Sequence, residues 1–301
     1  MSELQLHNIF IGSLSEICKR QLLENLKKDL AGDSGIRVAD LMGAATDTVK
    51  DFRPEQTIFI SGDTGELRAA SACSIATLGY LPDAGPEENA RGTEHTETAE
   101  ENTGADVTMW AEGFEEIGLT FLTRVYERYH GLPWTILVTE RCVVKEFSLD
   151  YLDALFALYD GEGMTEYIEP LYPYEQEREY QKAYIRHMYG FYGYGMWIVC
   201  DRDTGALIGR AGLERREELG GELELGYVIG VPYQRKGYAT EVCTAILQYA
   251  EEELEQSEVS CIIAPDNFLS AHFAQKLGFS FVGAECVNGK IMRKYKKYFR
   301  I

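Results

Sequence analysis

The sequence predicts an α/β protein of two domains, divided near residue 140. Three observations carry this. The chain has 301 residues and 45% hydrophobic content, enough for two ordinary cores. Short apolar runs of strand length and helical periodicities occur together on both sides of the division. The character of the chain changes between Pro133 and Arg141, where TILVTERCVVKEF opens a new run of β-type residues. The expected domains are therefore 1–139 and 140–301.

In the front part, Asn8 to Ile11 and Thr57 to Ser61 read as short buried strands, and Glu16 to Leu30 and Gly65 to Leu78 have helical periodicity. The stretch Asp83 to Asp106 has eight acids against a single Arg91 and few large apolar groups, so it reads as a mobile loop.

In the back part, Cys142 to Phe147 reads as a strand and Leu149 to Tyr159 as an amphipathic helix with Ser148 as its N-cap. Helical character returns over Glu175 to Tyr189. Met196 to Cys200 and Ala206 to Leu213 read as strands joined by the turn Asp201 to Gly205, and Glu222 to Ile229 alternates as a third. Tyr238 to Leu254 is the clearest helix, through Val242, Ile246 and Tyr249. A strand at Val259 to Ala264, a short helix at Ser270 to Leu277 and a hairpin at Phe279 to Tyr298 turning at Asn288-Gly289 follow.

Charge bounds the partners. With 29 Lys plus Arg against 49 Asp plus Glu, the formal charge is −20, which disfavours nucleic acid and anionic membranes and favours cationic partners. Seven scattered cysteines without Cys-x-x-Cys and five scattered histidines point to neither a disulfide framework nor a metal site. The first residues, MSELQLHNIF, lack a secretory pattern, and no run is long and apolar enough for a membrane span, so a cytoplasmic location is the expectation.

Chemistry concentrates after the strand ELELGYVI. Gln234-Arg235-Lys236-Gly237-Tyr238-Ala239 is a Gln-x-x-Gly-x-Ala run at a helix N-terminus, where free N–H groups and the helix dipole suit a diphosphate. Gly237 lets the backbone come close to phosphate oxygens. Further on stand Asn267-Phe268-Leu269-Ser270 and Lys276-Leu277-Gly278-Phe279. In order and separation the two segments resemble the signature motifs of the GNAT superfamily of N-acetyltransferases. With Glu224-Leu225-Gly226-Tyr227 ahead of the loop, the likeness is to the ribosomal-protein alanine acetyltransferase type.

That resemblance implies a GNAT fold, a bent mixed β-sheet with flanking helices, splayed where Gly226 to Ile229 meets Val259 to Ala264. It implies acetyl-CoA as donor, with pantetheine against the edge at Val228 and Ile229. The diphosphate would lie on Gln234, Arg235, Lys236, Gly237, Tyr238, Ala239 and Thr240, and Asn267 and Ser270 would steady the pantetheine arm. The acceptor would be an amine-bearing small molecule or a protein N-terminus, and no metal is involved. Glu224 is the candidate general base, its alternative being a solvated strand residue beside Glu222. Many members carry a Tyr acid where this chain has Ala274, so His272 and Tyr295 are considered as replacements. Tyr167, Tyr172, Tyr174, Tyr180, Tyr184, Tyr189, Tyr192 and Tyr194 could wall an acceptor pocket by cation–π contact or serve core packing. A rival reading is an acyl-CoA-binding regulatory or scaffold protein that has lost turnover.

In the front part, Thr57-Ile58-Phe59-Ile60-Ser61-Gly62-Asp63, followed by Leu78-Gly79-Tyr80, resembles the last acidic motif of haloacid-dehalogenase-like phosphatases. Asn8-Ile9-Phe10-Ile11-Gly12 lacks the Asp-x-Asp such chemistry needs, which implies a degenerate Rossmann-like α/β domain and makes Asp63 a turn residue. The single Asp-x-Asp, Asp201-Arg202-Asp203, fits a hairpin loop.

Overall fold

A computed structural model describes residues 4–31, 35–41, 52–81 and 107–299; the acidic stretch Asp83 to Asp106 lies outside these. The chain divides into two compact units, Met1–Leu132 and Pro133–Ile301. The division precedes residue 140 because β6 (Thr135–Val138) pairs antiparallel with β7 (Cys142–Lys145) and so joins the second sheet.

The first unit is a five-stranded sheet of order β2-β1-β3-β4-β5, with every pairing parallel. Its strands are β1 (Asn8–Ile11), β2 (Arg37–Asp40), β3 (Thr57–Ser61), β4 (Ala76–Tyr80) and β5 (Met109–Ala111). The helices are α1 (Glu16–Asp29), α2 (Thr64–Ala72) and α3 (Leu119–Tyr129). β1 and β3 are buried along their whole length, with apolar centres at Ile9–Ile11 and Ile58–Ile60, as a covered parallel sheet requires. Ile9, Ile58, Ile60, Leu22, Leu122 and Val125 form much of the core between sheet and helices.

One expectation is corrected here. Gly65 to Leu78 is not a single helix: α2 ends at Ala72, the backbone turns at Ser74 with φ 59°, and Ala76 opens β4. A five-residue apolar run beside a helix has no periodicity of its own, so its strand character comes from burial between β3 and β5.

The second unit is an eight-stranded sheet of order β12-β13-β11-β10-β9-β8-β7-β6. β8 (Met196–Asp201), β9 (Leu207–Arg216), β10 (Glu222–Ile229), β11 (Glu258–Ile263), β12 (Ser280–Val287) and β13 (Lys290–Tyr298) complete it. All pairs are antiparallel except β10 with β11, so the sheet is mixed. The β12–β13 turn has both Asn288 and Gly289 at positive φ, 50° and 75°, the conformation an Asn-Gly hairpin supplies.

The helices of this unit are α4 (Leu152–Tyr159), α5 (Tyr174–Tyr184), α6 (Tyr238–Glu252) and α7 (Phe268–Lys276). Val242, Ile246, Leu247 and Ala250 bury one face of α6 in the core around Trp197, each larger side chain contributing about 1.5–3 kcal/mol. Ser148 does not cap α4: a 3₁₀ turn at Leu149–Tyr151 intervenes and the Ser148 side chain makes no capping bond. α5 continues as π-helical turns over Ile185–Tyr192 and stops at Gly193, φ 72°.

Candidate active site

The parallel contact between β10 and β11 consists of one residue pair, Glu224 with Ser260, after which the strands part. Side chains bridge the near end: Ser260 Oγ donates to the Leu223 carbonyl at 3.1 Å. On the other side, Gly230 N–H donates to the Ile208 carbonyl at 2.9 Å. Bonding alternates along an antiparallel pair, so Val228 directs its backbone groups to Arg210 on β9, while Tyr227 and Ile229 direct theirs into the gap. The edge expected at Val228 and Ile229 is thus formed by Tyr227 and Ile229. Gln234 Nε2 donates to the Ile229 carbonyl at 2.9 Å, tying the following loop to that edge.

The loop runs from a 3₁₀ turn at Val231–Tyr233 through Arg235, φ 58°, to Gly237, φ 88°, which stands at the N-cap of α6. Gly237 offers no side-chain cap, so among the described residues the first N–H groups of α6, at Tyr238, Ala239 and Thr240, start the helix without one. Arg235 and Lys236 are exposed there. Asn267 caps α7, its Oδ1 accepting the Ser270 N–H at 3.0 Å, and Ser270 Oγ lies 3.4 Å from the Tyr227 hydroxyl. Asn267 and Ser270 thereby stand at the start of α7, and Ser270 meets β10 through Tyr227.

Glu224 is not a solvated strand residue. Its side chain is 12% exposed, its carboxylate accepts Arg216 Nε–H at 2.5 Å, and it also accepts the Ile262 N–H. Burial pushes its pKa up, and the Arg216 ion pair opposes that shift. Glu214, opposite Glu224 on β9, accepts the Tyr184 hydroxyl at 2.7 Å and lies 3.9 Å from Arg216. Next to them Lys294 and Lys296 bind Glu222 at 3.0 and 2.9 Å and also reach Glu285 and Glu258. Glu214, Glu222, Glu224, Glu258 and Glu285 thus meet Arg216, Lys294 and Lys296 in ion pairs on this side of the sheet.

The tyrosines separate into two groups. Tyr184 and Tyr189 are buried and committed: Tyr184 accepts the Met196 N–H, and Tyr189 donates to the Met196 carbonyl while accepting the Phe147 N–H. Tyr167, Tyr172, Tyr174 and Tyr180 are exposed, with Tyr174 donating to Asp153 at 2.7 Å. Tyr194 is half-buried against the core, and the Tyr192 side chain lies outside the described residues. Ala274 is buried in the core, His272 is exposed, and Tyr295 is packed at 5.5 Å from Phe281.

The hydroxyl beside Ser270 is that of Tyr227, a residue not singled out by the sequence motifs. Alternation along β10 puts Tyr227 on the face opposite Glu224, its ring tilted 54° to that of Phe273 of α7 with centroids 4.8 Å apart. Burial raises its pKa to about 12, so the hydroxyl stays protonated at neutral pH. The strict alternation of ELELGYVI was the signal available for it.

In the first unit, Asp63 caps α2 by accepting the Glu66 N–H at 2.9 Å. Glu66 fills the space at the carboxyl ends of β1 and β3: its carboxylate accepts Ser13 N–H at 2.9 Å, Ser13 Oγ at 2.8 Å and Ser61 Oγ at 2.6 Å. Burial alone would raise its pKa, and these donors outweigh it and hold the group low. In the second unit, Asp201 closes the β8–β9 turn by accepting Thr204 N–H, Thr204 Oγ and Asp203 N–H. Among the described residues no group of three or more His, Cys, Asp and Glu could hold a metal, and no helix is long and apolar enough to cross a membrane.

Comparison with known proteins identifies a domain in the second unit. The family described as Acetyltransferase (GNAT) domain matches residues 141–280. The uncharacterized protein YkkB of Bacillus subtilis strain 168 is 30% identical over 166 residues, covering 54% of this chain and 91% of its own length. The uncharacterized N-acetyltransferase YoaA of the same organism is 27% identical, over 49% of this chain and 84% of its own. A solved ribosomal L7/L12 alpha-N-protein acetyltransferase is 15% identical with a TM-score of 0.49, over 56% of this chain and 96% of that one. Residues 141–280 form an acetyltransferase domain, and through it the chain belongs to the GNAT family, whose members use acetyl-CoA.

Proposed function

We propose that the second unit transfers the acetyl group of acetyl-CoA to a primary amine, either a small cationic amine or a protein N-terminus, with Glu224 as general base. The observation that carries this is the single-pair splay. It leaves gap-facing backbone groups on β10 running directly to a helix terminus that no side chain caps, with a buried carboxylate at its apex. The residues fit the donor. N–H groups of α6 and the exposed Arg235 and Lys236 suit the diphosphate, and the gap-facing edge of Tyr227 and Ile229 suits the amides of pantetheine.

In this reading Glu224 takes the proton of the attacking amine, directly or through a water, as the N–C bond forms. A gap-facing N–H of β10 stabilises charge on the carbonyl oxygen. When the C–S bond breaks and its electron pair moves to sulfur, the Tyr227 hydroxyl, beside Ser270, supplies the proton that Ala274 cannot. Arg216 must yield its contact with Glu224 as the acceptor arrives.

The rival, binding of acyl-CoA without turnover, draws support from the buried Ala274 and from the Arg216 ion pair on Glu224. Release of free CoA from acetyl-CoA over a panel of amines and short peptides decides between them, since a binder releases none. For the first unit, we read the Glu66-filled crevice as a degenerate haloacid-dehalogenase-like, Rossmann-like domain without phosphatase chemistry. Seven free thiols, four of them buried in the second unit, suit a reducing compartment such as the cytoplasm.

A further inference from the structure

The turn between β6 and β7 lies against the loop that precedes α6. Thr139 and Arg141 flank this turn, and both hold Glu241 in the first turn of α6. One Glu241 oxygen accepts the Thr139 hydroxyl at 2.6 Å and the Arg141 backbone N–H at 2.8 Å. The other accepts Arg141 Nε–H at 2.7 Å and lies 2.7 Å from Nη2. Nη1 donates to the Lys236 carbonyl at 3.0 Å, and the guanidinium lies 4.3 Å over the Tyr238 ring. Nη2 also lies 3.4 Å from where a Gly237 side chain would begin. One planar cation thus touches Lys236, Tyr238 and Glu241 and stands beside Gly237.

Two physical consequences follow for an anion at this helix terminus. An unpaired carboxylate in the first turn would repel a diphosphate arriving at the same N–H groups, and the guanidinium, with two nitrogens on one Glu241 oxygen, offsets that charge. Arg235, a non-glycine residue at positive φ, is strained, and the bond from Arg141 to the Lys236 carbonyl helps hold the backbone in that form. We infer that Arg141 is the positioning residue of the cofactor loop: it neutralises Glu241 and fixes the Lys236–Tyr238 backbone in the form that receives the diphosphate of acetyl-CoA. The inference rests on the reading of that loop given above. The Glu241 carboxyl agrees with it: burial would raise its pKa, and donors from Thr139 and Arg141 overcome this and hold it below the ordinary value.

The test is steady-state kinetics with acetyl-CoA varied, together with calorimetry of CoA binding, for wild type, Arg141→Gln, Arg141→Lys and Glu241→Gln. Arg141→Gln is expected to raise the KM for acetyl-CoA and the Kd for CoA about tenfold or more, the scale of a lost charge-assisted contact. At saturating acetyl-CoA, kcat should stay within about threefold, and the KM for the acceptor should not move. Arg141→Lys keeps the charge without the fork and should fall between, and Glu241→Gln should raise the same KM by a smaller factor. Should Arg141→Gln fail to fold, Arg141→Lys and Glu241→Gln carry the same readouts. Variants with the wild-type KM for acetyl-CoA, or with a lower kcat and an unmoved KM, would overturn the role of Arg141. Wild type that binds no CoA would overturn the loop reading and this inference together.

Discussion

Arg216 donates its Nε–H to Glu224 at 2.5 Å, so the carboxylate proposed as general base is held by a cation that is itself 42% exposed. The two forces on Glu224 oppose each other: burial raises its pKa and Arg216 lowers it. Removing Arg216 should leave burial and the neighbouring Glu214 opposed only by the Ile262 N–H. In Arg216→Gln the acid limb of the pH profile of kcat/KM is expected to shift to higher pH, because a base must be ionised to act. The stability sign is the reverse of an ordinary paired acid. A carboxyl whose folded pKa is raised disfavours folding above that pKa, and the penalty is relieved as pH falls through it. An acid limb at the same pH in wild type and Arg216→Gln would show that the limb belongs to another group.

Tyr227 should behave as a proton donor rather than as packing. Tyr227→Phe keeps the contact with Phe273 and removes only the hydroxyl. A fall in kcat of about tenfold or more is expected with CoA affinity little changed, within the usual range for lost acid catalysis. Wild-type kcat in the variant would assign Tyr227 to the core alone.

Gly237→Val should abolish the thermal stabilisation that CoA confers. The new side chain would stand at the helix terminus, and φ of 88° strains any L residue there. A modest fall in Tm of the free protein, from about 1–2 kcal/mol of backbone strain, is therefore expected beside the lost CoA response. A CoA-induced shift equal to wild type would remove the loop from the binding site.

The second unit should fold alone if cut at its own boundary. Residues 133–301 are expected to unfold cooperatively and bind CoA. A version starting at residue 140 loses β6 and the buried Ile136, worth about 1.5–3 kcal/mol, and should melt lower. Equal melting temperatures for the two would place β6 outside the folding unit.

Local pattern made much of this legible. The alternation of Glu222 to Ile229, the spacing of Val242 and Ile246 and the turn at Asn288-Gly289 each specify an element through its own residues, and they appear where expected. The helical periodicity of Gly65 to Leu78 runs into β4 because Ala76 to Leu78 takes strand form only between β3 and β5. Arg216 and Arg141 escaped for a related reason. Arg141 meets Glu241 across one hundred positions of sequence, and no periodicity encodes such a pairing. Tyr227 is legible in the alternation of ELELGYVI, on the face of β10 opposite Glu224.

The most direct test of the account is the pH dependence of kcat/KM for Glu224→Gln with a genuine acceptor amine. The substitution keeps the shape of the side chain and removes its basicity. General-base assistance is typically worth about 10²- to 10⁴-fold, so kcat/KM should fall at least tenfold near neutral pH while CoA affinity stays within a few-fold. The defect should shrink as pH rises, because the acceptor amine then arrives already neutral. A Glu224→Gln enzyme with wild-type kcat/KM at neutral pH would contradict the account and leave Glu224 as the ion-pair partner of Arg216 with no part in the chemistry.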